Sequence, residues 1–151
     1  MATADGFHPD FDEKAPEATG NRVHHIKASD ISSDTAQSDG LRRFAALSGT
    51  SVGAEKLWMG ETHAMPSTVS SNHHHGDSET AIYVRSGHPE FVFHDGTGEV
   101  RISTSPGDYV FIPPNLPHRE ENPDPTSPAE VVIARSTQEA VVVNLPALYP
   151  L

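Results

Sequence analysis

Two histidines two residues apart, His73 and His75, stand a few positions before an apolar, β-favouring run, Ala81-Ile82-Tyr83-Val84. Residues two apart on a strand face the same side. His73 and His75 can therefore turn their imidazoles toward one point while His74 faces away. Imidazole is a common ligand for zinc, iron, nickel and copper. A third histidine, His118, lies in a second ordered stretch, Gly107 to Asn122. We read the two stretches as halves of one metal site. The His73–His75 triplet lies inside the chain rather than at an end, which sets it apart from a purification tag.

Positioning such groups requires a scaffold of short strands, and the chain reads that way. Turn residues part a series of β-favouring runs: 55–64, 70–75, 80–85, 90–93, 99–102, 109–112, 131–134 and 141–143. A further run, 41–47, is ambiguous between strand and helical turn, and its length favours a strand. A short strand is also expected around Arg22-Val23-His24-His25-Ile26. No long amphipathic helix is expected. Strands at this spacing indicate an antiparallel sandwich or barrel. Residues 1–20 hold five acidic groups, two prolines and only Phe7 and Phe11 as large apolar side chains. They read as a flexible acidic arm, followed by one domain over 21–151.

Composition narrows the partners. The chain has 151 residues, enough for one domain with a core, and a net charge of −11 that repels nucleic acid and anionic membrane. No apolar run approaches the length of a membrane span. The first residues, Met1 to Gly6, show no basic segment or apolar core of a secretory leader. Cysteine is absent, which excludes disulfides and thiolate ligands within the sequence and is compatible with a cytoplasmic location.

The two motif stretches resemble the cupin superfamily, small β-barrels of the jelly-roll class. In that family's second motif a Gly is followed by five residues, Pro, one residue, Gly, two residues, His, three residues and Asn. Gly107, Pro113, His118 and Asn122 fit, and Asn115 stands where the family has its second Gly. Asn tolerates the left-handed turn that Gly serves there. In the first motif His73, His75 and the closing Gly87 fit. Counting from either end places the family's ligand glutamate at Thr80, with Glu79 one residue out of register. A one-residue shift on a strand sends a side chain to the opposite face, unless a bulge after Gly76 restores its aim. The family's opening Gly is absent, with Ser67 in its place. The resemblance covers roughly residues 40–145 and is specific for fold rather than for reaction.

The resemblance implies an all-β, antiparallel double-stranded β-helix holding one divalent transition metal. Its ligands would be His73, His75 and His118, with Glu79 as the candidate carboxylate. Three neutral ligands leave the metal's full charge to acidify water or receive a chelating substrate. That ligand set is similar to the one in thiol and diketone dioxygenases of the superfamily. Fe2+ with dioxygenase or oxidoreductase chemistry on a small molecule is the first expectation. Zn2+ or Ni2+ with isomerase, cyclase or lyase chemistry is the alternative, Mn2+ is a further candidate ion, and a non-catalytic binding or sensor barrel is the third reading. If His118 points inward on a regular strand, so do Glu120 and Asn122. Glu120 is then a candidate catalytic base or ligand-orienting group, with a rim carboxylate as the plainer reading. Tyr83, like Trp58 and His63, is a candidate to line the pocket, with ordinary packing as the alternative. A homodimer is expected through strands outside the metal barrel, segment 21–31 among them.

Overall fold

The computed structural model describes residues 22–136 and 142–149. The acidic arm of residues 1–20 lies outside the described residues. Among the described residues eleven strands follow in order: β1 Leu41–Leu47, β2 Trp58–Ala64, β3 Thr68–Val69, β4 His73–His74, β5 Thr80–Ser86, β6 Glu90–His94, β7 Glu99–Ser103, β8 Tyr109–Ile112, β9 His118–Asn122, β10 Ala129–Arg135 and β11 Val143–Asn144. They form two antiparallel sheets. One has the order β1-β2-β10-β5-β8, and the other β11-β4-β9-β6-β7 with β3 paired to β9.

Alternation along each strand builds the interior. Strands β2 and β10 alternate strictly between buried and half-buried residues, and β5 alternates buried with exposed over most of its length. Trp58, Ile82, Val84, Ile112, Val131 and Ile133 from the first sheet meet Phe91 of the second in one apolar cluster. Gly60 is required in the middle of β2. A Cβ there would lie 2.1 Å from the carbonyl oxygen of Phe44 and 2.6 Å from Cη2 of Trp58. The missing side chain is the space into which the Trp58 indole folds.

Two turn residues behave as their chemistry predicts. Asn115, at the motif position usually held by Gly, has a left-handed φ of 59°. Its backbone N–H donates to Gly76 O and its side-chain amide to Asp77 Oδ1, which ties the two motif loops together. Gly87 (φ 78°) closes the first motif, where a Cβ would come within 2.8 Å of Ala129 Cα.

The structure corrects several expected elements. Residues 22–26 form no strand; positions 22–25 are exposed and gain no sheet partner to offset the ordering cost. The run 70–75 contains only the two-residue strand β4, and the run 55–64 becomes strand only from Trp58. Position 141 lies outside the described residues, and the last expected strand is seen as β11. A single helical turn, α1 (Gly49–Val52), occupies the break after β1. Ser48 and Ser51 cap it reciprocally, and Gly53 ends it at φ 69°.

Candidate metal centre

Local structure aims each histidine. His73 lies on β4 and pairs in register with His118 on β9, so their side chains stand side by side on one face. His75 follows β4 on the same phase and is also buried, whereas His74 turns away and accepts a hydrogen bond from Gly76 N–H. The three buried rings form a compact triangle with centroid separations of 4.5, 5.0 and 5.0 Å.

Hydrogen bonds fix which ring nitrogen faces the centre. His73 Nδ1 lies 2.8 Å from the carbonyl oxygen of Ser71, and His118 Nδ1 lies 2.9 Å from that of Leu116. A nitrogen against a carbonyl oxygen must donate, so each Nδ1 carries a proton, and in a neutral ring the lone pair then sits on Nε2. Both Nε2 atoms are buried and have no partner among the described residues. Burial pushes His73 down to about 4, overriding the attraction of Glu120, so the ring is neutral at neutral pH.

The carboxylate of the group is Glu120. It stands two residues beyond His118 on regular β9 and points inward with it. One oxygen lies 3.7 Å from His73 Nε2 and the other 3.8 Å from His118 Nε2. Ser70 latches this strand position from both sides: its Oγ accepts from Glu120 N–H, and its N–H donates to Glu120 O. Burial works to raise the Glu120 carboxyl, but contact with His118 and the fields of His73 and Arg43 hold it below the usual carboxylate range. Donor atoms of His73, His75, His118 and Glu120 lie within 4.8 Å of one another, and all four residues are buried.

This donor set fits a divalent metal. The Nε2 atoms of His73 and His118 face the Glu120 carboxylate at a spacing too long for direct hydrogen bonds, and the two Nε2 atoms and Glu120 Oε2 have no hydrogen-bond partner among the described residues. A cation held between the groups would satisfy the nitrogens and the carboxylate together. Three nitrogens and one oxygen suit Fe, Mn, Ni, Co or Zn.

The other candidates stand elsewhere. Glu79 is exposed, with its backbone rather than its side chain tied to Ser136. Gly76 does adopt a left-handed turn (φ 59°), yet the turn does not carry Glu79 inward. Thr80 occupies the inward position that counting from both motif ends had given, and it is buried. Tyr83 is on the outward phase of β5, half-exposed and tilted against the ring of Tyr109, so it does not line the interior. His63 lies on the outward face of β2 beside Glu61, while Trp58 is fully buried in the core.

Sequence reasoning missed two residues, Arg43 and Arg135. Both are almost completely buried. Burial lowers both below the ordinary arginine value, Arg135 to about 10, which still leaves them charged at neutral pH. The available signal was phase: Arg135 continues the inward series Val131, Ile133, and Arg43 follows Leu41. Motif counting looks only at metal ligands and passes over such positions.

With fold and geometry in place, comparison with known proteins decides the family. The model of the cupin domain matches residues 60–135, half of the chain. The chain belongs to the cupin family. Structures similar to this cupin include a conserved protein with a double-stranded beta-helix domain from Klebsiella pneumoniae. That likeness has TM-score 0.58 and 20% identity, covering 75% of this chain and 91% of that one. The polyketide cyclase RemF from Streptomyces resistomycificus matches with TM-score 0.61 and 22% identity, over 83% of this chain and 85% of the other. Oxalate decarboxylase from Bacillus subtilis matches with TM-score 0.64 and 19% identity, over 82% of this cupin but 33% of the decarboxylase. No curated protein matches in sequence. At these identities the likenesses establish the fold. Among the described residues no helix is long and apolar enough to cross a membrane.

Proposed function

We propose that this cupin is a metal-dependent enzyme acting on a small molecule, of the mononuclear non-haem iron dioxygenase or oxidoreductase class. His73, His75, His118 and Glu120 would hold the ion. The observation that carries the reading is the convergence of these four buried donors, with the Nε2 atoms of His73 and His118 facing the Glu120 carboxylate. Bound there, a redox-active divalent ion would supply a site where a small substrate and O2 meet. The carbonyls of Ser71 and Leu116 hold the rings of His73 and His118 in the ligating tautomer. Glu120 offsets part of the ion's charge. Phe91, Ile112 and Leu116 line a cavity together with His118, and such apolar walls strengthen electrostatic contacts beside them.

The test is metal analysis of protein expressed without a histidine tag, together with oxygen uptake over a panel of small organic acids, thiols and diketones. One ion per chain, lost in His118→Ala, supports the centre. Full occupancy in that variant overturns it. Turnover under nitrogen with zinc or nickel moves the enzyme to the isomerase, cyclase or lyase class.

The reading extends to a cytoplasmic homodimer. Support comes from the outward face of β5 and β8, where Tyr83, Tyr109 and Phe111 form an exposed aromatic patch and Tyr109 is 81% exposed. A monomer by light scattering across micromolar concentrations overturns the dimer.

A further inference from the structure

We propose that Arg43 and Arg135, with the hydroxyls of Thr62 and Thr80, form an internal carboxylate-binding subsite beside the metal group, which makes the substrate a small carboxylic acid. The proposal deepens the metal-enzyme reading above and rests on it for the reaction, but not for the binding.

Arg43 is 1% exposed and Arg135 2% exposed. In each, Nε and Nη1 are buried without a hydrogen-bond partner among the described residues. The hydroxyls of Thr62 and Thr80 are buried and unpartnered too. These orphaned donors occur in register. Arg43 on β1 is the direct cross-strand partner of Thr62 on β2, and Arg135 on β10 is the partner of Thr80 on β5. Directly opposed residues bring their Cβ atoms within about 5 Å. Two arginine–threonine pairs thus stand on the same inward face of one sheet. Arg135 lies over the Trp58 ring, 5.2 Å from its centroid, so the guanidinium plane is oriented by the indole.

Charge inside the barrel is out of balance. Glu120 is the single carboxylate among the buried described residues, and its field reaches both arginines. Once Glu120 serves a divalent ion, both guanidiniums lack a counter-charge. A buried cation with unmade hydrogen bonds is costly, and a ligand that brings negative charge and acceptor oxygens offsets that cost. A carboxylate has both, and its two coplanar oxygens match the guanidinium donors. On the same sheet face, Val131 stands opposite Thr62, and Val131–Val84 and Ile133–Ile82 precede Arg135–Thr80 on the ladder, all buried, which favours a small acid over a bulky one. A second oxygen of the same acid would face the metal group.

The experiment uses the full chain, metal-depleted and Mn2+-loaded, titrated calorimetrically with malonate, neutral malonamide and inorganic phosphate. Metal-depleted protein should bind malonate and gain thermal stability from it, with malonamide at least tenfold weaker. Arg43→Met and Arg135→Met should each weaken malonate at least tenfold with Mn2+ content unchanged. Without malonate their melting temperatures should hold or rise, because an unbalanced buried charge has been replaced by an apolar chain. Malonamide binding as well as malonate overturns the proposal, as does wild-type malonate affinity in both variants. Tighter binding of phosphate than of malonate overturns the carboxylate assignment. Should the Met variants not fold, Arg→Lys at each position keeps the charge but loses the fork, and undiminished malonate affinity there counts against the subsite. Because malonate is read without metal, failure to bind any metal would sink the metal centre and leave this result standing.

Discussion

Replacing Glu120 by Gln separates the centre seen in the structure from the one that motif counting offered. Gln keeps the shape and one carbonyl oxygen but removes the charge. All donor atoms of the group lie within 4.8 Å of one another, so a dication among them is closer than that to a Glu120 oxygen. With an effective dielectric of about 20, the gross attraction at that limit is of order 7 kcal/mol. Desolvation takes back a large part, and a net loss of about 3 kcal/mol, roughly 100-fold or more in affinity, is expected. That exceeds or matches the 10- to 100-fold scale of outer-sphere losses. Glu79 is exposed, its charge is screened by water and salt, and Glu79→Gln should shift affinity by no more than about threefold. The assay is competition for Mn2+ or Fe2+ against a chromophoric chelator, with circular dichroism confirming the fold of each variant. Glu120→Gln binding within threefold of wild type would refute the assignment. So would a larger loss in Glu79→Gln than in Glu120→Gln.

Further outcomes follow from single contacts. His73 is held neutral, with its folded value about 4 against about 6.5 unfolded. The unfolded chain therefore binds more protons in that window, and metal-depleted protein should lose about 3 kcal/mol as pH falls from about 6.5 to 4. Urea midpoints that stay flat across that range would contradict this. Gly60→Ala forces a Cβ against the Phe44 carbonyl and the Trp58 ring. It should cost about 2 kcal/mol or more by urea denaturation, since backbone of the neighbouring strand cannot yield cheaply. The buried Asn122 side chain donates to the carbonyls of Ala64, Met65 and Ser127, joining β9 to the ends of β2 and β10. Asn122→Ala should cost about 2–3 kcal/mol while leaving metal stoichiometry unchanged.

Much of this was legible in the chain itself. The short-strand rhythm indicated the all-β class because alternation and turn residues are local properties. His73, His75 and His118 could be paired by spacing, and Asn115 could be read as a left-handed turn residue, because a motif records local backbone geometry. The inward aim of Glu120 followed from its position two residues beyond His118. The register argument also placed Thr80, not Glu79, on the inward phase, and Thr80 is the buried residue of the two.

Tertiary structure decided the rest. Whether a carboxylate joins three histidines depends on which strand faces them across the interior. β9 carries Glu120 into the group, while Glu79 lies in the exposed approach to β5. Residues 22–26 show the same limit from the other side, since β-propensity without a partner strand yields no strand. The phase of β5 turns Tyr83 to solvent, where its ring meets that of Tyr109. Arg43 and Arg135 each sit on the inward phase of their own strand but lie far apart in the chain. Only the ladder from β1 through β2 and β10 to β5 brings their two arginine–threonine pairs onto one buried face. The chain specified each strand's two faces; long-range pairing of strands chose which side chains would share the interior.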